Sequence, residues 1–528
     1  MPTLYRNGRV YSRSGGGAPD PSALLVDDGV ITWIGQEDGA AQHASVEVVD
    51  LEGGFVAPAF VDAHVHATGT GLALSGLDLA SAPTLAAALD QIERAARASR
   101  GRPLLGGGWD ETRWPEQRPP TAQELDRAAY GGSVYLTRVD AHSAVVSSVL
   151  ASSVAGLADM PGARGNGWVT GAAHDAVRVA ALNALTPGHT RDLQRTALQH
   201  AAAHGIACVH EMAGPAISSE ADLASLLELA RSEPLPEVIG YWGELLGIGT
   251  ARELGAVGAA GDLFCDGSLG SHTAALTSDY ADEPGHRGEL KYAVGDLAEH
   301  IRRCVEAGLQ AGFHVIGDAA VDQVLAAFEA ATDRLGRPAG IGSRLEHVEM
   351  VSDPARLAAS GLVASMQPAF DAAWGGHGGM YAARLGEARA GAMNRFAELA
   401  AAGVPLAFGS DSPVTPIDPW AGVRAAAYPH EPGAAISVRA AFTAHTRAGW
   451  RAAGRDNEGV LAPGMPATFA VWRAGELGIE APDDRVARWS TDPRSALPGL
   501  PDLRSGSALP SCVRTVRNGR TIFELEQS

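Results

Sequence analysis

Apolar and polar positions follow two different rhythms along the 528-residue chain. Near the start, LYRNGRVY, ALLVDDGVITWIG and VEVVDLEG are short runs of β-branched and aromatic residues broken by Asn-Gly, Asp-Gly and Gly-Gly, which predicts strands joined by tight turns. The same texture returns in ATFAVW at 467–472 and CVRTVRNGRTIF at 512–523, where Asn518-Gly519 marks a hairpin. Between these ends the rhythm changes. Segments of helical period such as TLAAALDQIERAARAS, DLQRTALQHAAAHG, DLAEHIRRCVEAG and AVDQVLAAFEAATDRLG alternate with short apolar runs, among them APAFVDAHVH, GIACVHEM, GDLFCDG, LQAGFHVIGD, SRLEHVEM, LVASMQP and VPLAFGSDSP. Such alternation, sustained over roughly four hundred residues, predicts an α/β fold: a (β/α)8 TIM barrel over 58–459. The stretch from about 70 to 180 fits the alternation poorly and is expected to be an insertion. Residues 1–57 and 460–528 are expected to form one composite β-sandwich domain built from both chain ends.

Composition narrows the class. With 46% hydrophobic residues the chain can bury a large core, and a net charge of −20 leaves no broad cationic surface for nucleic acid or an anionic membrane. No apolar stretch is long enough to span a bilayer, and the first residues lack a secretory apolar core, so a cytoplasmic protein is expected. Cys208, Cys265, Cys304 and Cys512 are scattered without CxxC spacing and read as reduced thiols. Lys291 is the only lysine, which excludes any mechanism needing two.

Candidate chemistry stands at the ends of the apolar runs, where barrel strands hand over to loops. His64 and His66 are two residues apart, so on a strand both imidazoles project to one side and can share an ion. His314 closes LQAGFH, His347 closes SRLEH and Asp411 closes VPLAFGSD. Each alone is explained by a buried core histidine or an N-capping aspartate. Together, in the order HxH, His, His, Asp, they point to a metal site. The short motifs of other chemistries are missing: GGGWDE is no dinucleotide or phosphate loop, Ser410 lacks a nucleophile elbow, and His210-Glu211 lacks the second histidine of HExxH.

The strings GGFVAPAFVDAHVH, GWDETRWPE, RVDAH, DGSLGSHTAAL, FHVIGDAAVD, RLEHVE, ASMQP, FGSDSPVTPIDP and GVLAPGMPATFAVW resemble, over nearly the whole chain, the metal-dependent amidohydrolase superfamily. The resemblance is closest to its amidohydrolase 3 branch, which contains N-substituted formamide deformylase and related predicted hydrolases. It implies hydrolysis of a non-peptide C–N bond by a metal-activated water, with His64, His66, His314, His347 and Asp411 as ligands. Asp411 would serve as general base and His347 as a second-ion ligand or oxyanion partner. The implied cofactor is a divalent metal, zinc first, with iron or manganese compatible with the same ligands.

One departure stands out. The branch commonly has Lys-Leu-Phe-x-Asp-Gly, whose carboxylated lysine bridges two metals, whereas this chain reads Asp262-Leu263-Phe264-Cys265-Asp266-Gly267. Aspartate is shorter, which favours one ion on His64, His66, His314 and Asp411, with His347 behind them. Alternation along a strand would turn Asp262 and Cys265 to opposite faces.

The expected substrate-facing residues are Asp266, Ser268, His272, Arg344 and Gln367, with Trp109 and His142 (beside Asp110 and Asp140) covering the pocket from the insertion. The expected partner is a small-molecule substrate, and a homodimer is compatible with the sequence. Deaminase or cyclic amidohydrolase activity is the alternative within the class. A non-catalytic scaffold that kept the fold is the alternative outside it.

Overall fold

The computed structural model describes residues 2–12, 20–43, 46–99, 101–139, 143–478 and 499–526. Asp140 and His142 therefore lie outside the described residues. Eight parallel strands pair in chain order: β1 (Phe60–Val65), β2 (Ile206–Ala213), β3 (Glu237–Trp242), β4 (Gly258–Ala259), β5 (Gln310–Val315), β6 (Arg344–His347), β7 (Val363–Met366) and β8 (Leu406–Phe408). The ring closes just beyond β8. There Ser412 bridges Val65, the Asp411 N–H donates to the His64 carbonyl (2.8 Å) and the His66 N–H donates to the Ser412 carbonyl (2.9 Å). This is the expected (β/α)8 barrel. All eight residues of β2 are buried, because the lumen covers one face of the strand and helices cover the other.

The helices follow from local signals. Thr186 and Ser219 cap Pro187–Ala203 and Glu220–Ser232, each accepting a main-chain N–H through its side chain. Gly308 and Gly336 end Val294–Ala307 and Asp318–Leu335 with φ of +70° and +65°. Among the described residues no helix is long and apolar enough to cross a membrane.

A separate five-stranded sheet occupies the stretch between β1 and β2. Leu77–Asp78, Leu104–Trp109, Val134–Arg138, Ser143–Val146 and Trp168–Thr170 form it, with side chains such as Ile92, Trp109, Trp114 and Leu125 in its core. Two further sheets share a core. Tyr5, Leu24, Val26 and Ile31 come from one, and Val56, Phe469, Val471 and Val516 from the other. The second sheet joins both chain ends, since Phe55–Pro58 pairs antiparallel with Phe469–Arg473. Its last hairpin turns at Asn518-Gly519, both with positive φ, as a two-residue turn of that sequence requires.

Candidate metal centre

Six side chains converge where the barrel strands end. His64 is the fifth residue of β1 and His66 caps the helix Ala67–Ser75 that follows it. His314 and His347 sit at the ends of β5 and β6, and Asp411 lies three residues past β8. Asp262 follows β4, where Gly261 takes a φ of +88° and breaks the strand. His347 and Asp411 themselves have φ of +71° and +55°, a conformation L-residues adopt only when their surroundings impose it.

Asp262, which has no place among the expected ligands, stands in the middle of the cluster. Its Oδ1 lies 3.6 Å from His64 Nε2, His314 Nδ1 and His347 Nε2, and its Oδ2 lies 3.3 Å from His66 Nε2. Asp411 Oδ1 is 3.4 Å from His64 Nε2 and 3.2 Å from His66 Nε2. Cys265 is buried in the apolar core around the barrel. His347 stands as near Asp262 as His64 and His314 do, not behind them.

The hydrogen bonds show which nitrogen of each ring is free. His66 Nδ1 meets the Met212 carbonyl (3.1 Å), His314 Nε2 the Gly267 carbonyl (3.1 Å), His347 Nδ1 the Gln367 Oε1 (2.9 Å) and His64 Nδ1 the Glu346 Oε2 (3.0 Å). These oxygens can only accept, so each ring carries a proton there and turns its other nitrogen to the cluster. His64 Nε2, His314 Nδ1, Asp262 Oδ1 and Asp411 Oδ1 are buried with no hydrogen-bond partner among the described residues. Donor atoms on a tetrahedral zinc lie roughly 3.3 Å apart, close to the spacings found here. Three sets fall within ligating range: His64, His66 and Asp262; His64, His347 and Asp411; and Asp262, His314 and His347. The donor set and its orphaned atoms fit a divalent metal.

The electrostatics agree. Burial by itself would lower the pKa of His66, but Asp262 and Asp411 beside it raise it to about 10. Burial opposes ionisation of Asp262 and Asp411 too, yet the facing histidines hold both carboxyls below the usual range. Without an ion the site draws protons; a divalent cation satisfies the same field.

Several expected substrate contacts are engaged elsewhere. Arg344 is fully buried inside the barrel, with its guanidinium on Glu346. Trp109 is fully buried in the core of the inserted sheet and donates Nε1–H to the Leu136 carbonyl, so it faces no ligand. Asp266 is buried and accepts from the main-chain N–H groups of Ala275, Ile316 and Gly317, which makes it a loop anchor. Gln367 is committed to His347 through Oε1. Ser268 and His272 remain partly exposed on the loop after Asp262. Ser268 Oγ meets Ser271 Oγ at 2.9 Å, and His272 Nε2 lies 3.0 Å from Asp282, which also binds Arg384 and so ties this loop to the helix Met380–Leu385. Lys291 rests its Nζ 4.7 Å from the Phe264 ring, whose other neighbour is His314. Phe370 stacks on His347 at 6.0 Å.

Three residues without an expected role in the site support it. Glu346 holds His64. Asp62 accepts from the Ser410 and His64 N–H groups and binds the Asp411 loop to β1. Glu211 accepts from the Ala67 N–H at the start of the helix after His66. Spacing gave a signal for one of them: in RLEH, residues two apart share a strand face, which puts Glu346 with Arg344.

A (β/α)8 barrel with histidines and carboxylates gathered at the strand ends defines a metal-dependent hydrolase. The chain belongs to the amidohydrolase family, which it matches over residues 47–523, and it is a hydrolase of carbon–nitrogen bonds other than peptide bonds. It is 27% identical over 456 residues to the putative amidohydrolase YtcJ of Bacillus subtilis, covering 81% of this chain and 83% of that protein. It is 26% identical over 499 residues to the N-substituted formamide deformylase of Arthrobacter pascens, covering 85% and 89%. An uncharacterized metal-dependent hydrolase from Pyrococcus furiosus superposes with a TM-score of 0.73 at 28% identity, covering 89% of this chain and 98% of that one.

Proposed function

We propose that the protein hydrolyses an amide or N-substituted formamide of small size, with zinc as its metal and Asp411 as the proton carrier. The observation that carries the reading is the convergence of four histidines and two carboxylates, among which His64 Nε2, His314 Nδ1, Asp262 Oδ1 and Asp411 Oδ1 are buried with no hydrogen-bond partner among the described residues. A divalent ion bound there supplies Lewis acidity and lowers the pKa of water toward neutrality. His64, His66, His314 and His347 serve as neutral ligands, each held in the required tautomer by the oxygen behind it. Asp411, with Oδ1 3.4 Å from His64 Nε2 and 3.2 Å from His66 Nε2, accepts the proton of the attacking water and returns it to the departing nitrogen. His347 belongs among the ligands, since its proton faces Gln367 and its Nε2 has none to give an oxyanion.

Where side-chain length favoured a single ion, we propose a pair, because Asp262 belongs to two of the three ligating sets, one with His64 and His66 and one with His314 and His347. Metal analysis of zinc-supplemented protein should find two ions per chain, and fewer in Asp262→Ala. Turnover on a panel of formamides, N-acyl amines and aminated heterocycles should vanish on chelation and return with zinc. Turnover that survives verified metal removal would defeat the mechanism, and protein that takes up no metal would support the scaffold reading. Activity confined to the heterocycles would support the deaminase.

A further inference from the structure

Of the four histidines, only His64 hydrogen-bonds a carboxylate through its far nitrogen; Asp266 stands 3.8 Å from His314 Nε2 and Asp411 4.0 Å from His347 Nδ1, beyond hydrogen-bond distance. His66 and His314 lean on main-chain carbonyls and His347 on a neutral amide, whereas His64 Nδ1 lies 3.0 Å from Glu346 Oε2. Glu346 is fully buried and gripped by an equally buried arginine, with Arg344 Nε donating to Oε1 (2.6 Å) and Nη2 to Oε2 (3.1 Å). The same guanidinium donates to the Ala63 carbonyl (2.6 Å), Ser365 Oγ (2.8 Å) and His210 Nδ1 (2.9 Å), and it lies 4.7 Å from the Tyr241 ring. Those partners stand on β1, β7, β2 and β3, so one side chain from β6 crosses the lumen and ties four other strands beneath the metal centre.

A buried ion pair is a poor investment in stability, because apolar side chains of similar volume often do as well or better. Its position offers another reason. A carboxylate behind a ligating imidazole fixes the ring's tautomer and orientation and makes its free nitrogen more basic. We propose that Glu346 and Arg344 are positioning residues: Glu346 pins the His64 proton on Nδ1 and aims Nε2 at the metal, and Arg344 holds Glu346 in place. Arg344 thus acts on the site from below and never meets substrate. The inference deepens the metal-hydrolase reading and rests on it only in requiring that Nε2 meet an ion.

The test uses full-length protein and the double variant Arg344→Met/Glu346→Met, which removes both charges and the acceptor behind His64 at similar volume and leaves no unpaired ion in the barrel. Gln367→Met, which removes a neutral partner, is the comparison. Zinc affinity is read by chelator competition, fold integrity by thermal unfolding, and the His64 proton by NMR of protein labelled with 15N at histidine. The double variant should keep its fold, lose about 10–100-fold in zinc affinity, and lose the hydrogen-bonded Nδ1 proton of His64. Gln367→Met should lose less affinity. A folded double variant with unchanged zinc affinity and an unchanged His64 proton would overturn the proposal. So would a wild type in which that proton is not on Nδ1. Wild-type protein that binds no zinc would defeat the hydrolase reading instead, and the NMR comparison would still decide this one.

Discussion

Glu211 offers a quantitative check on how the site is built. It is buried at the end of β2, with Oε2 accepting from the Ala67 N–H at 2.7 Å, which fixes the turn just after His66. Burial pushes its carboxyl up from 4.5 to about 7, and the neighbouring His66 and the Ala67 N–H keep it from rising further. In the unfolded chain the proton leaves near the ordinary value, while in the folded protein it stays until about 7. Between the two values the folded state binds more protons, so stability falls as pH rises through that window. A shift of this size corresponds to about 3 kcal/mol. Glu211→Gln keeps an acceptor for the Ala67 N–H and removes the titration. Urea unfolding of metal-free wild type and variant at pH values from 4.5 to 8 isolates the effect, because the histidines titrate in both and cancel in the difference. The wild type should lose about 3 kcal/mol relative to the variant across the window. A difference that stays flat with pH would refute the argument that burial raises the Glu211 carboxyl behind His66.

Asp411→Asn keeps the shape but cannot carry a proton, and should lower kcat by about 10²–10⁴-fold in steady-state assays of metal-loaded protein. Gly71→Ala would place a Cβ 2.0 Å from the Leu193 carbonyl, forcing apart the helices Ala67–Ser75 and Pro187–Ala203. It should cost about 1–3 kcal/mol, seen as a lower Tm with weakened zinc binding. Trp109→Ala should destabilise the inserted sheet by about 3–5 kcal/mol while leaving zinc content unchanged, measured by limited proteolysis of the insertion and by metal analysis.

Much of the site was legible in local pattern. Period-two spacing put His64 and His66 on one side of a strand, apolar runs ending in His314, His347 and Asp411 marked barrel strand ends, and Asn518-Gly519 announced its hairpin. These features depend on residues adjacent in the chain, so the sequence alone determines them. From side-chain length alone Asp262 falls short of a second ion, whereas in the fold the φ of +88° at Gly261 breaks the strand and the carboxylate lies within 3.6 Å of all four histidines. Strict alternation would turn His347 away from Arg344 and Glu346, yet its φ of +71° brings it into the site. Trp109 and Arg344 were read as substrate contacts, since exposure cannot be inferred from residue type; one lies in the inserted core and the other under the metal centre. The tertiary structure alone decided which atoms face one another across the barrel. His64 and Glu346 are 282 residues apart, and a contact at that separation exists only once every strand between them has taken its place in the ring.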